Sequence, residues 1–225
     1  MTRAGFSVFR RNERRGQPIT IKDAGEFGYW IDNKTVEVLA EIGFSPDSQS
    51  YHTDRFIIDL DPRDNFPLAD LKAVTKEAYR RLRRHPWVDE ELTYLHWTGG
   101  KGFHVVGHFR DSLSVEVEAV RLELEPLIAS LCDDETTFIK PLTSVYQPHV
   151  VLDISPIMRR GVYRNTFSFH AATGGICVPV KPEKLESFDP ERESAPEIVL
   201  SILDQMTGQS FDNYHQLISA YLRLR

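Results

Sequence analysis

Residues 53–62 read Thr53-Asp54-Arg55-Phe56-Ile57-Ile58-Asp59-Leu60-Asp61-Pro62. The run from Phe56 to Asp61 is apolar and β-favouring, and Pro62 stops it, so a strand is expected. Side chains two apart on a strand point the same way, with Cα atoms about 6.6 Å apart at a rise of ~3.3 Å per residue. Asp59 and Asp61 therefore project from one face, and Ile58 and Leu60 from the other. Two like charges so placed repel each other. A fold keeps them where something positive sits between, and a divalent cation with oxygen ligands at about 2.0–2.1 Å does that. Taken alone, an Asp-x-Asp before a proline reads first as a strand-end cap or turn.

Working outward, Leu68, Leu71, Val74, Ala78 and Leu82 recur at helical spacing and mark one face of an amphipathic helix that ends before Pro86. Leu92 to Thr98 reads as a strand. The turn Gly99-Gly100-Lys101-Gly102 follows, and alternation from Phe103 to His108 gives a second strand. Val120, Leu124, Leu127 and Leu131 mark a second helix, with a kink expected at Pro126. A last strand runs from His149 to Asp153.

That order, strand-helix-strand-strand-helix-strand, is the split βαβ pattern. The expected fold is α+β: an RNA-recognition-like (ferredoxin-like βαββαβ) antiparallel sheet with helices on one face. Residues 1–225 are expected as a single compact domain. It divides into a flanking segment over 1–52, a core over 53–180, and a connector and helix over 181–225. The flanking segment should carry a helix from Thr35 to Ile42 and pack beside the sheet. A Pro- and Glu-rich stretch from Pro179 to Pro196 leads to an amphipathic terminal helix with Ile198, Leu200, Ile202 and Leu203.

Bulk properties narrow the classes. The 225 residues are 41% hydrophobic and 27% charged, an ordinary globular composition. No run of about 18 apolar residues is present, so no membrane span or membrane partner is expected. The Arg-rich N-terminus lacks the apolar stretch of a signal peptide, which points to the cytoplasm. Cys132 and Cys177 are too few for a disulfide framework or a zinc knuckle and read as small buried residues. A formal charge of −6 is unusual for a nucleic-acid binder. Carboxylates that bind metal are neutralised in the working complex, however. The basic residues also cluster: Arg10, Arg11, Arg14 and Arg15; Arg80, Arg81, Arg83 and Arg84; and Arg159, Arg160 and Arg164. Each cluster reads equally as a solvated face.

Three further features carry chemistry. Asp153, at the end of an apolar strand, is the best candidate for a third carboxylate, a natural minimum for a pair of cations. The glycines at 99, 100 and 102 let backbone amides approach phosphate oxygens, Lys101 adds a positive charge, and His104 can donate to phosphate. Arg164, Ser168 and His170 lie close in sequence ahead of Thr173-Gly174-Gly175, and Arg binds phosphate bidentately. On an extended chain Ser168 and His170 would share a face. The chain has no Gly-x-Ser-x-Gly elbow, and a same-strand Ser/His pair is badly placed for a hydrolase triad.

Together these pieces resemble the archaeo-eukaryotic primase superfamily. Residues 53–62 resemble the first metal motif in the polymerase domains of bacterial end-joining DNA ligases. Thr98-Gly99-Gly100-Lys101-Gly102-Phe103-His104 is similar to their second, triphosphate-contacting motif, with Thr98 in place of Ser. Leu152-Asp153 matches the third. Arg164 to Gly174 (RNTFSFHAATG) is similar to the nucleotide-gripping segment of archaeal primase small subunits, with Ala172 where those often carry Lys. The resemblance runs from about residue 53 to 180. It implies a primase-polymerase catalytic core that transfers a nucleoside monophosphate from an NTP or dNTP to a 3′-hydroxyl and releases pyrophosphate. Asp59, Asp61 and Asp153 would hold two divalent cations, Mg²⁺ or Mn²⁺, with no zinc expected. Thr98, Lys101, His104, Arg164, Ser168 and His170 would bind the nucleotide. The implied partners are a nucleoside triphosphate, a DNA template and primer, and other replication or repair proteins. The competing expectations are an end-joining gap-filling polymerase, a non-catalytic nucleotide- or nucleic-acid-binding module of the same fold, and a metal-dependent nuclease.

Overall fold

The computed structural model describes residues 51–63, 65–110, 115–131, 150–157, 163–212 and 214–225 in full, and residues 6–10, 18–19, 35–41, 43–44, 137–139 and 162 as backbone. In chain order the strands before the first described helix are β1 (Phe6–Arg10), β2 (Pro18–Ile19), β3 (Thr35–Glu41), β4 (Gly43–Phe44), β5 (His52–Thr53) and β6 (Arg55–Pro62). Then come α1 (Leu68–Arg83), β7 (Val88–Trp97), β8 (Phe103–Phe109), β9 (Val115–Glu116), α2 (Val117–Ala129), β10 (Thr137–Ile139), β11 (Val150–Asp153), β12 (Val162–Arg164) and β13 (Val178–Val180). The chain finishes with α3 (Pro190–Glu193), α4 (Pro196–Gln205) and α5 (Tyr214–Leu224).

The main sheet has six strands in the order β10-β11-β6-β8-β7-β13. Its four middle strands are the fourth, first, third and second of the split βαβ pattern, and every pair among them is antiparallel. This is the expected α+β, RNA-recognition-like sheet. β10 extends it in parallel at one edge and β13 closes the other.

Alternation along β6 divides the sheet by chemistry. Phe56, Ile58 and Leu60 are wholly buried with Phe103, Val105, Leu95 and Leu152, and Leu71, Ala78 and Leu82 of α1 join the same apolar cluster. Burying each such side chain contributes about 1.5–3 kcal/mol. Val120, Leu124 and Ile128 of α2 extend that core. Pro126 falls in the final turn of α2, and the helix stops at Ala129. The single buried cation in α1 is satisfied: Lys72 Nζ donates to the carbonyls of Phe188 at 2.7 Å and Glu186 at 3.0 Å.

The flanking segment departs from expectation. Thr35–Glu41 is the strand β3, not a helix. Its apolar Val36, Val38 and Ala40 recur with a period of two, and its ladder partners lie far away in sequence: β1 on one side and β12 on the other. The resulting four-stranded sheet, β12-β3-β1-β2, stands apart from the main one. It gives the N-terminal segment a task, since pairing Arg164 with Leu39 fixes the backbone of a predicted phosphate ligand.

The C-terminal part also differs. The expected connector contains the edge strand β13 and the short α3. The helix carrying Ile198 and Leu200 is α4, which leaves both side chains substantially exposed, and a further helix, α5, follows it. Arg11, Arg14, Arg15, Cys132, His149, Arg159 and Arg160 lie outside the described residues, and Arg10 is described as backbone only. Among the described residues no helix is long and apolar enough to cross a membrane.

Candidate active site

The open face of the sheet carries one row of polar side chains. Register places Asp153 of β11 opposite Asp59 of β6, Asp59 opposite His104 of β8, and His104 opposite His96 of β7. Cα atoms of directly opposed antiparallel residues lie about 4.5–5.5 Å apart. Asp61 is two residues along β6 on the same face, opposite Val151. The three predicted carboxylates, separated by 94 residues at their extremes in the chain numbering (153 − 59), thus converge on two neighbouring strands.

Their environments differ. The Asp59 and Asp61 side chains are each about a third open to solvent, 31% and 33%, while Asp153 is buried at the floor and accepts a 2.8 Å hydrogen bond from the Ser155 amide. Lys101 Nζ lies 3.3 Å from Asp61 Oδ1 and also donates to the Pro62 carbonyl at 3.2 Å. His104 Nε2 is 3.7 Å from Asp59 Oδ1. That contact is not an ion pair. Burial, helped by the nearby His96 and the Arg164 guanidinium, holds the His104 imidazole down at about 3, so the ring is neutral. Around the three carboxylates stand the partly exposed Lys101 ammonium, the neutral His104 imidazole and, near that ring, the Arg164 guanidinium. A compact, all-oxygen donor set suits hard divalent cations of the Mg²⁺ or Mn²⁺ kind.

The glycine turn stands beside this row, with Lys101 against Asp61. The Thr98 hydroxyl accepts from the amides of Gly100 at 3.4 Å and Gly102 at 3.3 Å, so the hydroxyl organises the turn from inside. The Arg164 guanidinium donates to the Thr98 carbonyl at 3.1 Å, which joins the late basic segment to the turn. His170 Nδ1 accepts from the amides of Ala172 and Thr173, each at 3.3 Å. With Nδ1 accepting, a ring proton belongs on Nε2, which faces the turn: a Cβ on Gly100 would come within 2.6 Å of it.

The two glycine-rich loops meet backbone to backbone. Gly99 has φ of 79°, and a Cβ there would stand 2.7 Å from the Gly175 carbonyl oxygen; a Cβ on Gly175 would stand 2.4 Å from that of Gly99. Thr173 Oγ1 clamps the joint by donating to the Gly99 carbonyl at 2.6 Å.

Ser168 is buried, its hydroxyl directed at the Phe169 carbonyl at 3.3 Å, whereas His170 is half-buried. Phe167 sits at φ of 64° and only an isolated bridge, Phe169 to Ile176, follows, so the pair is not carried on a regular strand. Two clefts of about 460 and 600 Å³ flank the glycine turn and share Gly100; the aspartates line neither.

The sequence reading took Cys177 only as a small buried residue, which it is, and passed over His96 and the aromatic groups of α5. Register places His96 beside His104 across the β7–β8 hairpin. Tyr214 of α5 packs edge-on against Tyr94 and His96, with ring centroids 6.0 and 6.3 Å away, and the Tyr94 hydroxyl hydrogen-bonds His215. α5 thus roofs the β7 end of the face and leaves the aspartate end open.

An RNA-recognition-type sheet with a carboxylate row on its open face and phosphate-type donors in the adjoining loops defines a nucleotidyltransferase core of the polymerase kind. Residues 4–207 match the model for the primase-polymerase domain of LigD, and the chain belongs to that family. Among solved structures it is similar to the polymerase domain of Mycobacterium tuberculosis Ligase D, in complex with DNA: TM-score 0.68 and 18% identity over 89% of this chain and 71% of that one. It is also similar to the archaeo-eukaryotic primase domain of the cyanophage S-2L primase-polymerase, with TM-score 0.48 and 15% identity over 87% and 90% of the two chains. No curated protein sequence matches.

Proposed function

We propose that the chain is a template-dependent primase-polymerase that transfers a nucleoside monophosphate from an NTP or dNTP to a 3′-hydroxyl and releases pyrophosphate. The observation that carries the reading is the ladder register that puts Asp153 directly opposite Asp59 with Asp61 beside them. Asp59, Asp61 and Asp153 are the residues that would hold two divalent cations. Bound there, Mg²⁺ or Mn²⁺ would activate the attacking hydroxyl and neutralise charge on the triphosphate.

The remaining residues bind and position. Lys101, at the tip of the turn, neutralises phosphate charge. His104, neutral at physiological pH, acts as a hydrogen-bond donor. Arg164 and the Nε2–H of His170 approach from the late segment, Ser168 supplies a hydroxyl, and Thr98 holds the turn in shape. Catalysis by such a set is positioning and electrostatic, without a covalent intermediate. Residues 1–225 act as one catalytic unit in this reading, with the N-terminal strands holding Arg164 in place. DNA is the proposed template, as it is the ligand in the Mycobacterium tuberculosis polymerase-domain structure.

A non-catalytic module that binds single strands through sheet aromatics is less well supported. Such modules stack bases on exposed rings, and here Tyr94 and His96 are buried under α5.

The test is incorporation of labelled nucleotide on a primed DNA template with Mg²⁺ or Mn²⁺, with chelator as control. Activity that persists in Asp59→Ala overturns the assignment. Two further substrates separate the subtypes: short products on unprimed single strands mean priming, and preference for a gap with a 5′-phosphate means end-joining synthesis.

A further inference from the structure

Beside the carboxylates lies a second cluster of a different chemical character. His96 on β7 and His104 on β8 are opposed across the ladder, and Cys177 immediately precedes β13, the strand that pairs with β7. All three are buried, and one ligand atom from each lies within 4.8 Å of the other two. The Nδ1 atoms of His96 and His104 are buried with no hydrogen-bond partner among the described residues. An unsatisfied buried polar group costs about 1–3 kcal/mol, so two in one place call for an explanation.

We propose that His96, His104 and Cys177 form a binding site for a borderline-soft divalent cation of the Zn²⁺ type, distinct from the Mg²⁺ or Mn²⁺ site of the aspartates. Imidazole and thiolate donors select such ions over magnesium, which takes oxygen. Bonds of about 2.3 Å to sulfur and 2.0–2.1 Å to nitrogen put tetrahedral ligand atoms roughly 3.3–3.6 Å apart, so the cluster closes by about an ångström. Three protein ligands leave the fourth position for an exogenous one.

The outer contacts fit the same role. His96 Nε2 is 3.1 Å from the Tyr214 hydroxyl, and His104 Nε2 is 3.7 Å from the Asp59 carboxylate. Ligating histidines characteristically engage hydroxyl or carboxylate groups through the nitrogen that does not bind metal, which fixes tautomer and ring orientation. A cation on Nδ1 of His104 keeps the proton on Nε2, the atom that faces the carboxylate row. Among the described residues Cys177 has a weak partner, the Arg164 carbonyl at 3.9 Å, and burial pushes its thiol up to about 12, so the metal-free side chain is protonated. Coordination forms one metal–sulfur bond and releases that proton to solvent. Two cysteines are too few for a knuckle, but this site needs one, and its histidines come from separate strands.

The experiment is a Co²⁺ titration of the chelator-stripped 225-residue chain in excess Mg²⁺, which occupies the aspartates. The readout is the thiolate-to-cobalt charge-transfer band. The expected result is saturation at one Co²⁺ per chain, displacement by one equivalent of Zn²⁺, and loss of the band in Cys177→Ser but not in Cys132→Ser. His96→Gln should weaken Co²⁺ binding at least tenfold, a second handle if Cys177→Ser fails to fold. No band in the unsubstituted protein, a band that follows Cys132, or unchanged affinity in His96→Gln overturns the proposal. None of these readouts depends on nucleotide incorporation.

Discussion

The two faces of strand β6 are made by alternate residues of one eight-residue segment and obey different physics. On one face Phe56, Ile58 and Leu60 have no exposed surface and meet other apolar side chains. On the other, Asp59 and Asp61 stay partly wet, crowded by a third carboxylate on the neighbouring strand. The apolar face lowers the free energy of the fold. The acidic face holds like charges together, a cost that a cation bound among them would offset.

The widest separation between the faces should come from Asp59→Ala and Asp153→Ala. Each is expected to reduce metal-dependent incorporation by at least about 10³-fold, the upper end of what one lost electrostatic contact costs. The thermal midpoint should hold for Asp59→Ala, since a repulsion is removed. A clear loss of stability there would break the distinction. The reciprocal change, Ile58→Ala, should cost about 2–5 kcal/mol in urea unfolding through the cavity it leaves, with little effect on KM for nucleotide while the protein remains folded.

Gly102→Ala tests the seam between the faces. The new Cβ would stand 2.4 Å from the Leu60 carbonyl oxygen, so turn and strand must separate. A destabilisation of about 1–3 kcal/mol is expected, together with weaker nucleotide binding, because the same displacement moves Lys101. The smallest effect should come from Lys101→Gln. Its side chain is 59% exposed, and an exposed pair contributes about 0–1 kcal/mol. Stability should barely change while KM for the triphosphate rises several-fold; an unchanged KM would remove Lys101 from the nucleotide site.

What the sequence made legible follows from the range of the interactions involved. Strand β6, helix α1 and the β7-β8 hairpin declare themselves through local periodicity and local breakers, and their order suffices to imply the sheet. Asp153 was readable because an apolar strand ends on it. Thr35–Glu41 misled because seven residues with Val36, Val38, Leu39 and Ala40 satisfy either period, and pairing with β1 and β12 decided between them. β13 was hidden among prolines that an edge strand tolerates. The terminal helix was placed at Ile198, although that residue and Leu200 remain largely exposed on α4. The terminal helix that roofs the β7 end of the polar face is α5, whose Tyr214 contributes through its position against His96 rather than through any local motif. Cys177 was read correctly as buried, but its place beside His96 and His104 depends on β13 pairing with β7, which no local pattern displays.

The joint between Gly99 and Gly175 limits how this protein can change. Where two backbones touch, there is no side chain to trim. A bulkier residue at either position has no compensating exchange at the other, because both are already as small as an amino acid can be. Suppressors of a substitution at 99 or 175 must therefore come from elsewhere, by letting one whole loop retreat. Since the first loop carries Lys101 and the second His170, any such retreat also alters the gap between the groups proposed to hold the incoming nucleotide.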